Sequence, residues 1–193
     1  MKPLLLAFVV VIAGCHKYNE LVEDNATCDE KWANIDTELQ RRYDLIPNLV
    51  ATVKAQAKYE QDTLVKVTEA RASATQIKLS GDDFSDPAKM AAFQKAQGEL
   101  AGALSRLLVS QEKYPELQAN SAFHDLRVTL EGTENRLLRA RQEYNAAVKV
   151  YNAELNKVGG TVINDITGKP FKPRIYYTAE AGSATHEVPK VNL

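Results

Sequence analysis

The sequence predicts an all-α fold: an elongated, antiparallel, up-down four-helix bundle followed by an extended C-terminal tail. Three observations carry that expectation. Between residues 18 and 158 the prolines are Pro47, Pro87 and Pro115. Proline is tolerated in a helix's first turn and breaks its interior, so three of them divide this stretch into four segments. Each segment carries apolar residues at spacings of three and four, the mark of one buried helical face. The connections at 44–46 and 115–119 are short, which makes consecutive helices antiparallel neighbours.

The chain opens with Met1-Lys2, Pro3 and the apolar run Leu4 to Ile12, closed by Ala13-Gly14-Cys15. A positive charge, about ten apolar residues and small residues before a break form the pattern of an export signal. The run falls short of the ~20 residues that a spanning helix needs. Ile12-Ala13-Gly14-Cys15 resembles the bacterial lipobox, in which the cysteine thiol receives a diacylglycerol and becomes the first residue. Residues 1–14 are therefore expected to be a lipoprotein signal peptide and Cys15 the lipidated residue. The alternatives are a buried strand or a short anchor that stays uncleaved. Two or three acyl chains suffice for stable attachment. His16, rather than Asp, after the cysteine favours the outer membrane in a Gram-negative envelope. Cys28 is then the remaining thiol, and an isolated cysteine is usually core filler.

From residue 15 to 158 the bundle is justified segment by segment. The first seam reads Tyr18, Leu21, Asn25, Cys28, Trp32, Ile35, Leu39 and ends on Arg41-Arg42, suited to a helix C-terminus. The second reads Ile46, Val50, Val53, Ala57, Glu60, Leu64, Val67, Arg71, Ala74, with Asp44 as its N-cap. One continuous, kinked helix through Pro47 is the alternative. Residues 81–86 form a loop, and Asp86-Pro87 starts the third helix, with seam Met90, Phe93, Gln97, Leu100, Leu104, Leu107, Gln111, Tyr114. After Pro115, Asn120 or Ser121 caps the fourth: Phe123, Arg127, Leu130, Glu134, Leu137, Arg141, Tyr144, Val148, Tyr151, Leu155. Gly159-Gly160 reads as its stop. Residues 159–193, with Pro170, Pro173 and Pro189, read as an extended, partly disordered tail holding one short strand over 174–178.

Charged residues fall on seam positions, among them Glu60, Arg71, Glu134 and Arg141. Counted from Ile46 and Asn120, Glu60 and Glu134 each lie about 21 Å down their helices. Arg106 reaches roughly the same layer from the third helix, and Arg141 lies about two turns lower. Paired carboxylates invite a di-metal reading, but ferritin-like sites need Glu-x-x-His on two helices and neither stretch supplies it. The expectation is an ionic layer of Glu60, Arg106, Glu134 and Arg141 that fixes register and partner choice; exposure at the bundle flank is the alternative. No metal ligand set is assigned.

Composition narrows the function classes. The 193 residues carry 24 basic and 25 acidic side chains, a formal charge of -1 that disfavours a nucleic-acid surface. Two Cys and three His build neither a disulfide framework nor a zinc site. There is no Gly-x-Ser-x-Gly, P-loop or dinucleotide fingerprint, and Cys28 has no sequence partner that identifies a nucleophile. No catalytic residue, no cofactor and no enzymatic activity are expected.

Several stretches carry a family resemblance: Tyr-Asn-Glu-Leu-Val at 18–22, Glu-Leu-Gln-Arg-Arg-Tyr-Asp-Leu-Ile-Pro-Asn-Leu-Val at 38–50, Glu-Lys-Tyr-Pro-Glu-Leu at 112–117 and Glu-Asn-Arg-Leu-Leu-Arg-Ala-Arg-Gln-Glu-Tyr-Asn at 134–145. Over about residues 16 to 158 the chain resembles the LemA family, as a lipoprotein-type member, and Pro170-Phe171-Lys172-Pro173-Arg174 is similar to tails in part of it. The resemblance implies a membrane-attached, extracytoplasmic bundle of long helices with no known enzyme activity, and a member among magnetosome membrane proteins. It implies no ligand or catalytic residues. Many members carry an N-terminal transmembrane helix, where this chain ends its apolar run at Cys15. The expected function is a non-enzymatic envelope scaffold or interaction module, held to the membrane by its lipid and meeting an envelope protein or further copies of itself. A ligand- or metal-sensing bundle feeding a membrane partner is the alternative, and a hydrolase of unrecognised type is a third.

Overall fold

The computed structural model describes residues 2–55, 61–110 and 113–178. Among these the regular elements are helical: α1 (Lys2–Lys54), α2 (Gln61–Gln76), a 3-10 turn (Gly81–Ser85), α3 (Pro87–Ser110), the short α4 (Pro115–Gln118), α5 (Ser121–Asn156) and α6 (Val158–Ile166). Two compact units share them: Met1–Leu39, Ser80–Pro87 and Asn135–Tyr177 form unit one, and Gln40–Leu79, Ala88–Glu134 and Thr178–Leu193 form unit two.

The break expected at Pro47 does not occur, and α1 continues to Lys54. Proline removes the N–H that would bond the carbonyl four residues back, here that of Tyr43. In unit two Arg71 of α2 supplies the missing donor, its Nε lying 2.8 Å from the Tyr43 oxygen. The seam charge at Arg71 is thus accounted for by the proline. The Tyr43 hydroxyl is fixed as well: it accepts from Gln97 Nε2 at 2.6 Å and donates to the Ala74 carbonyl at 3.3 Å. Asp44 does not cap a new helix; its carboxylate accepts from Gln40 Nε2 at 2.8 Å within α1. Arg41-Arg42 likewise do not end a helix, and Arg42 is buried. The buried face runs on through Tyr43, Ile46, Leu49 and Val53, so Leu49 takes the inward position expected of Val50.

Elsewhere the boundaries follow the sequence. Pro87 opens α3. Asn120 caps α5, its Oδ1 accepting from the Phe123 N–H at 3.1 Å. The core of unit two adds Leu64, Val67, Met90, Phe93, Leu100, Leu104, Leu107, Phe123 and Leu130.

In unit one the fourth helix stops at Asn156, before the glycines expected to end it. Lys157 turns extended and α6 begins at once, in a stretch expected to be extended chain. Gly160 permits this close reversal: a Cβ there would collide with the Glu154 carbonyl oxygen. Gly168 (φ 85) and Lys169 (φ 60) then adopt the left-handed conformation that redirects a chain leaving a helix. Residues 170–178 are extended without forming the expected strand. Residues 179–193, the rest of the expected disordered tail, lie outside the described residues.

Candidate functional site

The most elaborated polar constellation lies in unit one, where α5 and α6 hold residues 171–177. Asn145 and Asn152 stand seven residues apart on α5, two turns or about 10.5 Å. Three residues of extended chain span about 10 Å. The two periods nearly coincide, and each asparagine meets one tail residue. Asn152 accepts from the Arg174 N–H at 2.9 Å and donates to its carbonyl at 2.8 Å. Asn145 does the same for Tyr177, at 2.8 and 2.9 Å. From α6, Asn164 holds Phe171 at 3.0 Å on both sides. A carboxamide presents one donor and one acceptor side by side, matching the two polar groups of one backbone residue.

Part of the intervening backbone is paired as well. Tyr151 donates its hydroxyl to the Lys172 carbonyl at 3.0 Å and Tyr144 to that of Ile175 at 3.2 Å, while the Ile175 N–H reaches the Phe84 carbonyl at 2.8 Å. These contacts do for the strap what a neighbouring strand does in a sheet. The clamped residues Phe171, Arg174 and Tyr177, at every third position of the strap, are all buried.

Their side chains complete the unit's core. Trp32 of α1 meets Phe84 at 4.9 Å, Tyr144 at 5.1 Å and Tyr177 at 6.1 Å between ring centroids. Arg174 lies 4.9 Å over the Phe84 ring; its Nη2 donates to Asp29 at 2.6 Å and its Nε to Asn25 at 2.9 Å. Phe171 packs edge-on against Tyr18 at 5.3 Å. Burial pushes the Tyr144 and Tyr151 hydroxyls up to about 12, so both remain neutral donors near neutrality. Burial likewise pushes the Cys28 thiol up to about 11, opposite to the activation a nucleophile needs. The arrangement recognises an extended peptide segment; its chemistry is binding.

Of the residues expected to form one ionic layer, the structure describes three. Glu60 lies outside the described residues. Arg106 is exposed on α3. Glu134 is paired in unit two, but with Arg42 in place of the expected Arg106: Arg42 Nη2 lies 2.5 Å from Glu134 Oε2. The sequence places Arg42 at a helix end, which hides it from the seam facing Glu134. Arg141 belongs to unit one and stacks 5.2 Å over the Tyr177 ring. Cys15 is exposed on α1. Among the described residues no group of three His, Cys, Asp or Glu is placed to hold a metal, and no helix is long and apolar enough to cross a membrane.

Sequence reasoning missed Asn145, Asn152, Asn164 and Arg174. The available signals were the seven-residue spacing of the first two and the three-residue spacing of Pro170 and Pro173, but nothing local joins those periods across the chain.

Fold and site together define an all-helical protein that binds a segment of its own chain. The chain belongs to the LemA family, whose profile matches residues 31–193. Among its relatives are the magnetosome proteins MamQ 2 and MamQ 1 of Paramagnetospirillum magneticum, each 25% identical over 197 residues, covering 94% of this chain and 71% of theirs. Magnetosome protein MamQ of Magnetospirillum gryphiswaldense is 26% identical over 184 residues, covering 85% of this chain and 65% of its own.

Proposed function

We propose that this protein is a non-enzymatic, membrane-anchored scaffold or interaction module of the bacterial envelope, facing the periplasm or exterior. Residues 1–14 act as its signal peptide and Cys15 carries its lipid. The long helices run up and down as a bundle and present a surface to an envelope partner or to further copies. The observation that carries the reading is Ile12-Ala13-Gly14-Cys15 at the end of the nine-residue apolar run from Leu4. Family membership and the magnetosome relatives support a membrane setting. The buried, protonated thiol and the strap-filled site support binding over catalysis.

The test is labelling with tritiated palmitate and membrane fractionation of the full chain in a bacterial host. Cys15→Ser should lose the label and either leave the membrane fraction or accumulate as precursor. Full labelling of that variant would overturn the lipid assignment. Crosslinking of intact envelopes should then recover discrete partners or homo-oligomers; a monomer with no crosslinks would overturn the scaffold role.

A further inference from the structure

α6 is short, and its two faces differ sharply. The inner face is fitted to the first part of α1. A Cβ on Gly14 would lie 3.2 Å from Ile163 Cδ1, and one on Gly159 would lie 3.5 Å from the aliphatic chain of Lys17. Lys17 is itself ion-paired to Glu154, which also accepts from Lys157 at 2.6 Å. These contacts hold α6 across residues 14–17, beside Cys15 and directly after the apolar run. The outer face carries Val158, Val162 and Ile166, one turn apart, at 83, 48 and 75% exposure. Asp165 borders this stripe, with Lys169 3.4 Å from its carboxylate.

Three large aliphatic side chains aligned on one exposed helix face have no folding reason to be apolar. Their position supplies one. Whether the apolar run is retained or is removed and Cys15 acylated, the chain enters the lipid at residues 14–15, the level at which α6 is held. We infer that α6 lies along the membrane surface, with Val158, Val162 and Ile166 inserted among the lipid headgroups and upper acyl chains. The inference rests on the anchoring proposed above. It adds a second contact, which fixes how unit one meets the bilayer, where a lipid alone would leave it free to swivel. Short amphipathic helices bind bilayers in this manner, through buried apolar area.

The experiment uses the full chain carrying Val162→Trp, expressed in a host that processes lipoproteins and reconstituted in phosphatidylethanolamine–phosphatidylglycerol vesicles with brominated acyl chains. Position 162 is exposed, so the substitution leaves the core intact. Trp32, buried about 26 Å along α1 from Cys15, gives the baseline in the unsubstituted protein. The added indole should shift to the blue and lose most of its emission to bromine, while Trp32 keeps its own. Introducing Val158→Asp and Ile166→Asp beside it should abolish the quenching without releasing the protein from floating vesicles. Flotation with an unquenched indole would overturn the inference and leave the anchor standing. A blue shift that depends on protein concentration but not on bromine would assign the face to a second copy and overturn it equally. Failure to float would overturn the anchoring and, with it, the inference.

Discussion

Arg42 and Glu134 show how a charge is accommodated on an apolar seam. The Arg42 side chain is 3% exposed and Glu134 38%. Removing the acid strands a buried guanidinium beside a group that was half in water. Glu134→Ala should therefore cost about 1–3 kcal/mol, below the ~3–5 kcal/mol of a wholly buried pair. Lys149→Ala and Arg106→Ala, both at exposed positions, should stay within about 0.5 kcal/mol. Urea melts of Arg42→Leu, Glu134→Leu and the double variant check the coupling: the pair should cost less than the sum, and additivity would show that the contact carries no energy. Alkaline pH acts on three other buried groups. Cys28 is raised from an ordinary value of 9 to about 11, and Tyr144 and Tyr151 from 10 to about 12. Each favours the folded state while neutral. Their contribution is full below the unfolded values, declines from about pH 9, and is lost as the pH passes 11 for the thiol and 12 for the hydroxyls. A near-UV dichroism titration should show unit one's aromatic signal collapsing in that window, with Tyr144→Phe shifting the midpoint upward.

At the scale of elements, Pro47 and Arg71 form one device. If Arg71 stands in for the missing N–H, Arg71→Met should cost about 1.5–3 kcal/mol in the native background. Pro47→Ala restores the amide, and the same arginine change should then cost at least about 0.5 kcal/mol less. Equal costs in both backgrounds would reduce Arg71 to packing. This device also marks what was legible. The periodic seams placed Trp32, Phe93, Leu137 and Tyr144 in the core because burial imposes a helical period on the sequence. The start of α3 at Pro87 and the Asn120 cap were legible because the signals are local. Pro47 misled because its cost is met from another helix. Gly159-Gly160 misled because the glycines serve close approach of α6 rather than the end of α5.

At the scale of the whole molecule, the C-terminal segment is a structural part of unit one. Asn145, Asn152 and Asn164 were illegible as a site because each is an ordinary polar residue until the strap lies against it. Shortening the chain to end at Lys169 removes Phe171, Arg174 and Tyr177 from the core around Trp32. The shortened protein should show red-shifted tryptophan emission and faster amide exchange over residues 141–155. Asn145→Ala with Asn152→Ala in the full chain should reproduce the faster exchange in part, each substitution leaving a backbone donor and acceptor unpaired. Unchanged exchange in the shortened protein would mean that the strap rests on a core already complete.

The strap also sets a schedule. Trp32 is made early and Tyr177, which packs on it, comes 145 residues later. At roughly 5–20 residues per second, that interval is on the order of ten seconds. Throughout it the face of α1 that will receive Arg174 and Tyr177 stands open beside a growing chain. Unit one therefore closes only once residue 177 has been made, and until then Trp32 lacks the tyrosine that packs on it.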